Sequence, residues 1–229
     1  MSRLHIGIVS EGNTDQAVLE GLLLHIVKEH QFIFNSLQPE QGETEGFGIR
    51  GGGWKGVARW CETIPQKGGL TTYLSTGSSL DLLIIQIDGD VVREADSLEY
   101  NGENTVIEIS LALEKWLKSL LNEDALPDGS LFVITVDSLE SWALAAFIAE
   151  KGLDVTAIEP IELVNNPASV LIRNPYKLLK TKDGAPFKNR RYYEKNVVPL
   201  IIKHWEFVKQ HCIQAAKFDQ AITGWLAAM

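Results

Sequence analysis

The sequence predicts an α/β protein, a mostly parallel sheet flanked by helices, with a helical extension at its C-terminal end. Two observations carry that expectation. Over residues 1–150, short β-branched runs alternate with amphipathic stretches, an order in which helical crossovers join parallel strands. Two of those runs, residues 82–87 and 131–136, read as apolar along their whole length, as suits strands covered on both faces.

Taken in order, residues 5–9 form a short strand that ends in the turn Ser10-Glu11-Gly12-Asn13-Thr14-Asp15. A helix is expected over about 15–30, with Ala17, Val18, Leu22 and Ile26 on one face. Residues 31–37 alternate like a strand. Residues 39–56, rich in Gly and Glu and including Gly51-Gly52-Gly53, read as a loop, and 57–64 as a short helix stopped by Pro65. The apolar strand 82–87, bounded by Asp81 and Asp88, is followed by an amphipathic helix over 108–121. After the strand 131–136, Asp137 and Ser138 are placed to cap a helix over 139–150. Beyond residue 150 the pattern breaks. Pro160, Pro167, Pro175 and Pro186 punctuate a loop-rich stretch, and helices over about 198–216 and 218–227 close the chain. The expected division is a core at 1–150 and a basic, loop-rich segment with helices at 151–229, packed on that core.

With 229 residues, 45% of them hydrophobic, the chain can bury one good core. Cys61 and Cys212 are its only cysteines and lie far apart. That argues against a disulfide framework or zinc knuckle and fits a reducing cytoplasm. The apolar run at residues 5–9 is too short for a signal peptide, and no run approaches the ~20 residues of a membrane span. The six tryptophans fall mostly at helical apolar positions, where packing rather than base stacking is expected.

The net charge of −9 is unevenly spread. Residues 173–203 hold nine basic residues against Asp183 and Glu194, and the rest of the chain carries −16. A basic segment on an acidic body suits a metal site beside a phosphate-binding surface; a solvated loop and helix face would look the same.

Acidic residues recur at one structural address, the C-terminal ends of the expected strands. Glu11 follows the first, Asp88 and Asp90 the 82–87 strand, and Asp137 and Glu140 the 131–136 strand. Ligand sites of open α/β sheets lie there. Carboxylates gathered in one place need a cation, and oxygen-only ligands suit Mg²⁺ or Mn²⁺. Each residue also has a plain structural use. Glu11 can serve a helix dipole, Asp88-Gly89-Asp90 a turn, and Asp137-x-x-Glu140 a capping box.

Glu11-Gly12-Asn13-Thr14-Asp15 resembles the E-G-x-T-[DE] signature that opens Toprim domains, and Asp88-Gly89-Asp90 their D-x-D. Glu140-Ser141-Trp142-Ala143-Leu144-Ala145 is similar to the E-x-W-x-L-A segment of an uncharacterised Toprim-like family related to the OLD nucleases. Asn174-Pro175-Tyr176-Lys177 and Tyr193-Glu194-Lys195 are similar to its N-P-x-K and Y-x-K segments. The resemblance implies a Toprim, Rossmann-like core with Glu11 as general acid/base and metal neighbour. It also implies Asp88 and Asp90 as Mg²⁺ or Mn²⁺ ligands and Glu140 as a further ligand. The implied activity is phosphodiester cleavage of DNA or RNA, with Lys177, Arg190, Arg191 and Lys195 on substrate phosphates. A partner ATPase in phage defence is implied by the same likeness.

Two other functions compete. Asp88-Gly89-Asp90-Val91-Val92 also fits the D-x-D-x-[TV] of haloacid-dehalogenase-like phosphatases, with Asp88 as nucleophile and Asp90 as acid/base. A Toprim-shaped module that binds nucleic acid without cleaving it, or regulates a partner, is the third.

Overall fold

A computed structural model describes residues 3–39, 51–76, 80–95, 105–158 and 160–229. The expected glycine-rich loop falls partly outside the described residues, at 40–50.

Strand β1 (Arg3–Val9) leads through helix α1 (Asn13–Ile26) to β2 (Gln31–Gln38). Helices α2 (Gly53–Thr63) and α3 (Gly69–Thr76) then lead to β3 (Leu82–Asp88), and α4 (Val106–Leu121) to β4 (Ser130–Thr135). These four strands form one sheet in the order β2-β1-β3-β4, every pair parallel. The α/β class, the helical flanks and the C-terminal helices are those the sequence predicts. In detail α1 starts earlier and stops sooner than expected. At its end Val27 N–H closes on the Leu23 carbonyl, and residues 27–30 turn into β2. The glycine loop is also shorter than expected, because α2 begins at Gly53.

The strand order explains why the two apolar runs show no alternation. Leu82 and Ile84 face one core with Leu4, Ile6 and Ile8 of β1, Val133 of β4 and the buried side of α1. Leu83, Ile85 and Ile87 face a second core with Val9, Ile134, α2 and α4. Side chains alternate between faces with a period of two, and both faces of β3 are buried, so both sets must be apolar.

The chain then runs through α5 (Glu140–Lys151), α6 (Pro167–Leu171) and a hairpin of β5 (Thr181–Lys182) and β6 (Ala185–Pro186). It ends in α7 (Arg190–Tyr192), a π-helical turn (Tyr193–Val197), α8 (Val198–Lys203), α9 (Trp205–His211) and α10 (Ile213–Ala227). The first of the two expected closing helices, 198–216, is therefore broken at His204 and Cys212, whereas the second, 218–227, lies unbroken within α10 and starts earlier than expected. Pro199, in the first turn of α8, has no N–H to donate, and the helical hydrogen bonds shift to π spacing just before it. This segment is not a separate body. Leu179, Tyr193, Ile201, Val208 and Ile222 share the first core with β1 and α1.

Trp142 of α5 joins the parts. It is fully buried, with ring centroids 5.8 Å from Trp205 and 6.0 Å from Phe218. Truncating such a ring forfeits its burial and leaves a cavity, at about 3–5 kcal/mol. Trp142→Ala is therefore expected to lower the unfolding free energy by that margin, seen as a lower urea midpoint. An unchanged midpoint would mean that α9 and α10 are not docked through this residue. Glu162 anchors the same region. Its buried carboxylate accepts N–H bonds from Ile213 (2.6 Å) and Gln214 (3.0 Å) at the start of α10, satisfying donors that every helix N-terminus leaves open.

Among the described residues no helix is long and apolar enough to cross a membrane.

Candidate active site

From β1 the chain moves outward to β2, then returns past β1 to β3. The direction reverses between β1 and β3, and a crevice at the carboxyl ends of such a strand pair is where open α/β sheets bind ligands. Glu11 leaves β1 at this crevice and Asp88 ends β3. A cavity of about 450 Å³ opens there, lined by Glu11, Asp15, Asp88, Lys188 and Arg190, among others.

The two acids are tied to each other. Asp88 N–H donates to Glu11 Oε1 at 2.8 Å. Asp88 Oδ1 accepts from Gln86 Nε2 at 2.8 Å and from the Thr135 hydroxyl at 2.5 Å. The turn after β1 is held by Glu11 N–H on Gln86 Oε1 (3.3 Å) and by Gly53 N–H on the Glu11 carbonyl (3.0 Å). Glu11 therefore has a role in the fold as well as a place in the cavity.

Asp15, in the first turn of α1, is buried beside them. From the far side Glu140 enters at the start of α5, 1% exposed. Its Oε1 accepts from the Tyr193 hydroxyl at 2.6 Å and lies 3.1 Å from Lys188 Nζ. Its Oε2 is buried and closes no hydrogen bond of normal geometry, although the Ser138 hydroxyl is near enough to lower the carboxyl's pKa.

Burial dominates the electrostatics. It pushes Glu11 up to about 8 against the Asp88 N–H bond, with Asp15 and Asp90 adding repulsion. Burial likewise raises Asp15 to about 7, even with Lys188 opposing it. Asp88 is pushed well above its ordinary range by burial and then by Glu11 and Asp15. Burial would raise Glu140 too, but Lys188 and Tyr193 outweigh it and hold the carboxyl below its usual value. Lys188 feels the reverse balance. Burial favours its neutral form, yet Glu140, Asp15 and Asp88 together keep it firmly charged.

The remaining expected residues lie elsewhere. Asp90 does not line the cavity. Its N–H donates to the Asp137 carbonyl at 3.2 Å, and its pKa is raised by burial and then by Asp137. Asp137 makes no capping box, because Leu139 occupies the N-cap of α5 and gives no side-chain cap. Asp137 instead has φ 58°, and its carboxylate takes Arg93 Nη2 (2.5 Å) and Asn166 N–H (2.8 Å). Gly89 lets this loop approach. A Cβ there would lie 2.9 Å from both Asp137 N and Val136 Cα, so the D-G-D glycine is a packing requirement. Gly89→Ala is expected to cost about 1–3 kcal/mol in chemical denaturation through overpacking. A cost near zero would show that the Asp137 loop yields freely.

Of the four expected phosphate contacts only Arg190 lines the cavity, and it is paired with Glu20 (2.5 Å) and Glu194 (2.8 Å). Lys177, Arg191 and Lys195 are exposed and do not line it. The sequence reading missed Lys188, Asp15, Tyr193, Gln86 and Thr135. Asp15 carried a signal, standing four residues after Glu11 in the first turn of a helix. Gln86 carried only a weak one, a single polar residue that barely disturbs an otherwise apolar strand.

These residues fit a divalent cation in charge and donor chemistry. Four acids, three of them buried and Glu11 half-buried, face one ammonium, all their donors are hard oxygens, and Glu140 Oε2 closes no hydrogen bond of normal geometry. Here the acids are arranged around Lys188, and among the described residues no three His, Cys, Asp or Glu side chains are drawn together as a ready ligand group. No family model, curated protein or solved structure matches the chain.

Proposed function

We propose that the chain is a Toprim-type, divalent-cation-dependent enzyme that cleaves nucleic-acid phosphodiesters. The observation that carries this reading is the pairing of Glu11 and Asp88 through the Asp88 N–H bond at the strand reversal. Bound among these acids, Mg²⁺ or Mn²⁺ would activate water and offset charge on the leaving oxygen. Asp88, Asp15 and Glu140 would hold the ion. Glu11, its proton affinity raised into the neutral range, is suited to move a proton between water and substrate.

The phosphate would meet the other half of the cavity. The first turn of α1 lines it at Asn13 and Thr14, where the Asp15 carboxylate already takes the backbone N–H groups of Gly12 and Asp15. Arg190 also lines the cavity, and Lys188 reaches it from among the acids. The exposed Lys177, Arg191 and Lys195 would extend the contact along the nucleic acid, which predicts salt-sensitive binding. A partner ATPase in phage defence belongs to this reading as its widest extension. The phosphatase alternative draws less support, because it uses Asp88 and Asp90 together and Asp90 does not line this cavity.

The test incubates purified protein with single- and double-stranded DNA and RNA, with Mg²⁺ or Mn²⁺ and with EDTA. Metal-dependent cleavage that Glu11→Gln removes is the expected result. A second reading, binding without cleavage, is favoured by Lys188, which already supplies a cation to the acids. Binding that weakens with salt, with no product under any metal, would decide for it.

A further inference from the structure

Gln86 stands on β3 between Ile85 and Ile87, fully buried, where a polar side chain is costly unless all its hydrogen bonds are made. It makes them with functional neighbours alone. Its Nε2 donates to Asp88 Oδ1 at 2.8 Å and to Thr135 Oγ1 at 3.3 Å, and its Oε1 accepts Glu11 N–H at 3.3 Å. Thr135, also fully buried, passes its own hydroxyl proton to Asp88 Oδ1 at 2.5 Å. The amide N–H side of Gln86 is thus shared between two oxygens that are themselves hydrogen-bonded, and the Thr135 hydroxyl proton is committed to Asp88.

Period-two alternation puts residues 84, 86 and 88 of β3 on the face that carries Thr135 of β4, the two strands pairing Asp88 with Thr135. Packing on that face asks only for another aliphatic residue at 86. A glutamine there makes sense for what it does to the acids. Both donors fall on Oδ1 of Asp88, so Oδ2 is the oxygen that Asp88 offers to the cavity. Glu11 Oε1 is taken by Asp88 N–H, so Oε2 is the oxygen that Glu11 offers.

We infer that Gln86 and Thr135 are positioning residues, a clamp that fixes which oxygen of Asp88 is presented to a divalent cation and holds the Glu11 turn beside it. The inference rests on the metal-dependent reading above. Residues that hold ligating side chains in this way typically contribute about 10–100-fold to metal affinity.

The experiment is Mn²⁺ titration followed by electron paramagnetic resonance and calorimetry, with thermal unfolding in EDTA alongside. Thr135→Val, nearly isosteric, and Gln86→Met, which keeps length and loses the amide, are each expected to weaken Mn²⁺ binding by about 10–100-fold and to alter the bound Mn²⁺ spectrum. Thr135→Ser keeps the hydroxyl and is expected to retain wild-type affinity. Should Gln86→Met fail to fold, the contrast between Thr135→Val and Thr135→Ser carries the test. Thr135→Val protein that unfolds earlier but binds Mn²⁺ like wild type would overturn the inference and leave the metal-dependent reading standing. Wild-type protein that binds no Mn²⁺ would overturn both.

Discussion

Asp88→Asn is expected to reduce metal-dependent cleavage by on the order of 10³-fold while raising the melting temperature of the metal-free protein. The two effects have one cause. Asp88 is buried, and its carboxylate is opposed by burial and then by Glu11 and Asp15. An amide keeps Oδ1, so it still accepts from Gln86 and Thr135, and it removes the charge that the fold tolerates poorly. It also removes the anionic oxygen that would face a cation. Stability given up for a working charge is a known signature of functional sites. Melting in EDTA, set beside cleavage rates with Mn²⁺, checks both halves. A variant that loses activity and also melts earlier would point to a structural part for Asp88.

The second large effect is the response of stability to pH. In the unfolded chain Asp and Glu titrate near ~4, whereas in the fold Glu11 is pushed up to about 8 and Asp15 to about 7. Between those limits the folded protein holds more protons than the unfolded chain. Stability must then fall as pH rises through the window from about 4.5 to about 8. Glu162, raised by burial to about 7, acts in the same direction. A divalent cation reverses the trend, because it takes the ionised carboxylates and releases their protons. The melting temperature without metal is expected to drop from pH 5.5 to pH 8, and added Mn²⁺ to raise it more at pH 8 than at pH 5.5. A metal-free melting temperature that climbs over this range would refute the account, as would an Mn²⁺ shift of equal size at both pH values.

Much of this is legible in the sequence. The 82–87 and 131–136 runs declared a sheet buried on both faces, because both sets of alternating side chains needed apolar surroundings. Strand ends are legible for the same reason, so Glu11 and Asp88 could be located as neighbours of a crevice. Gln86 was hidden by that same logic, since one polar residue barely disturbs an apolar run. Lys188 was hidden differently. It sits among nine basic residues whose sequence positions look alike, and nothing local says which one turns inward.

By itself the sequence determined the α/β class, the helical flanks and the strand ends where acids could gather, since these follow from periodicity and from the few ways a chain can bury an apolar strand. Only the tertiary structure decided which charges meet. It drew Asp15, Glu140 and Lys188 to Glu11 and Asp88, and turned Asp90 and Asp137 to Arg93 and the loop at Asn166. The reason is that contact between residues far apart in the chain depends on strand order and on the path of connecting loops. A carboxylate becomes a candidate ligand or a structural partner according to what is folded against it.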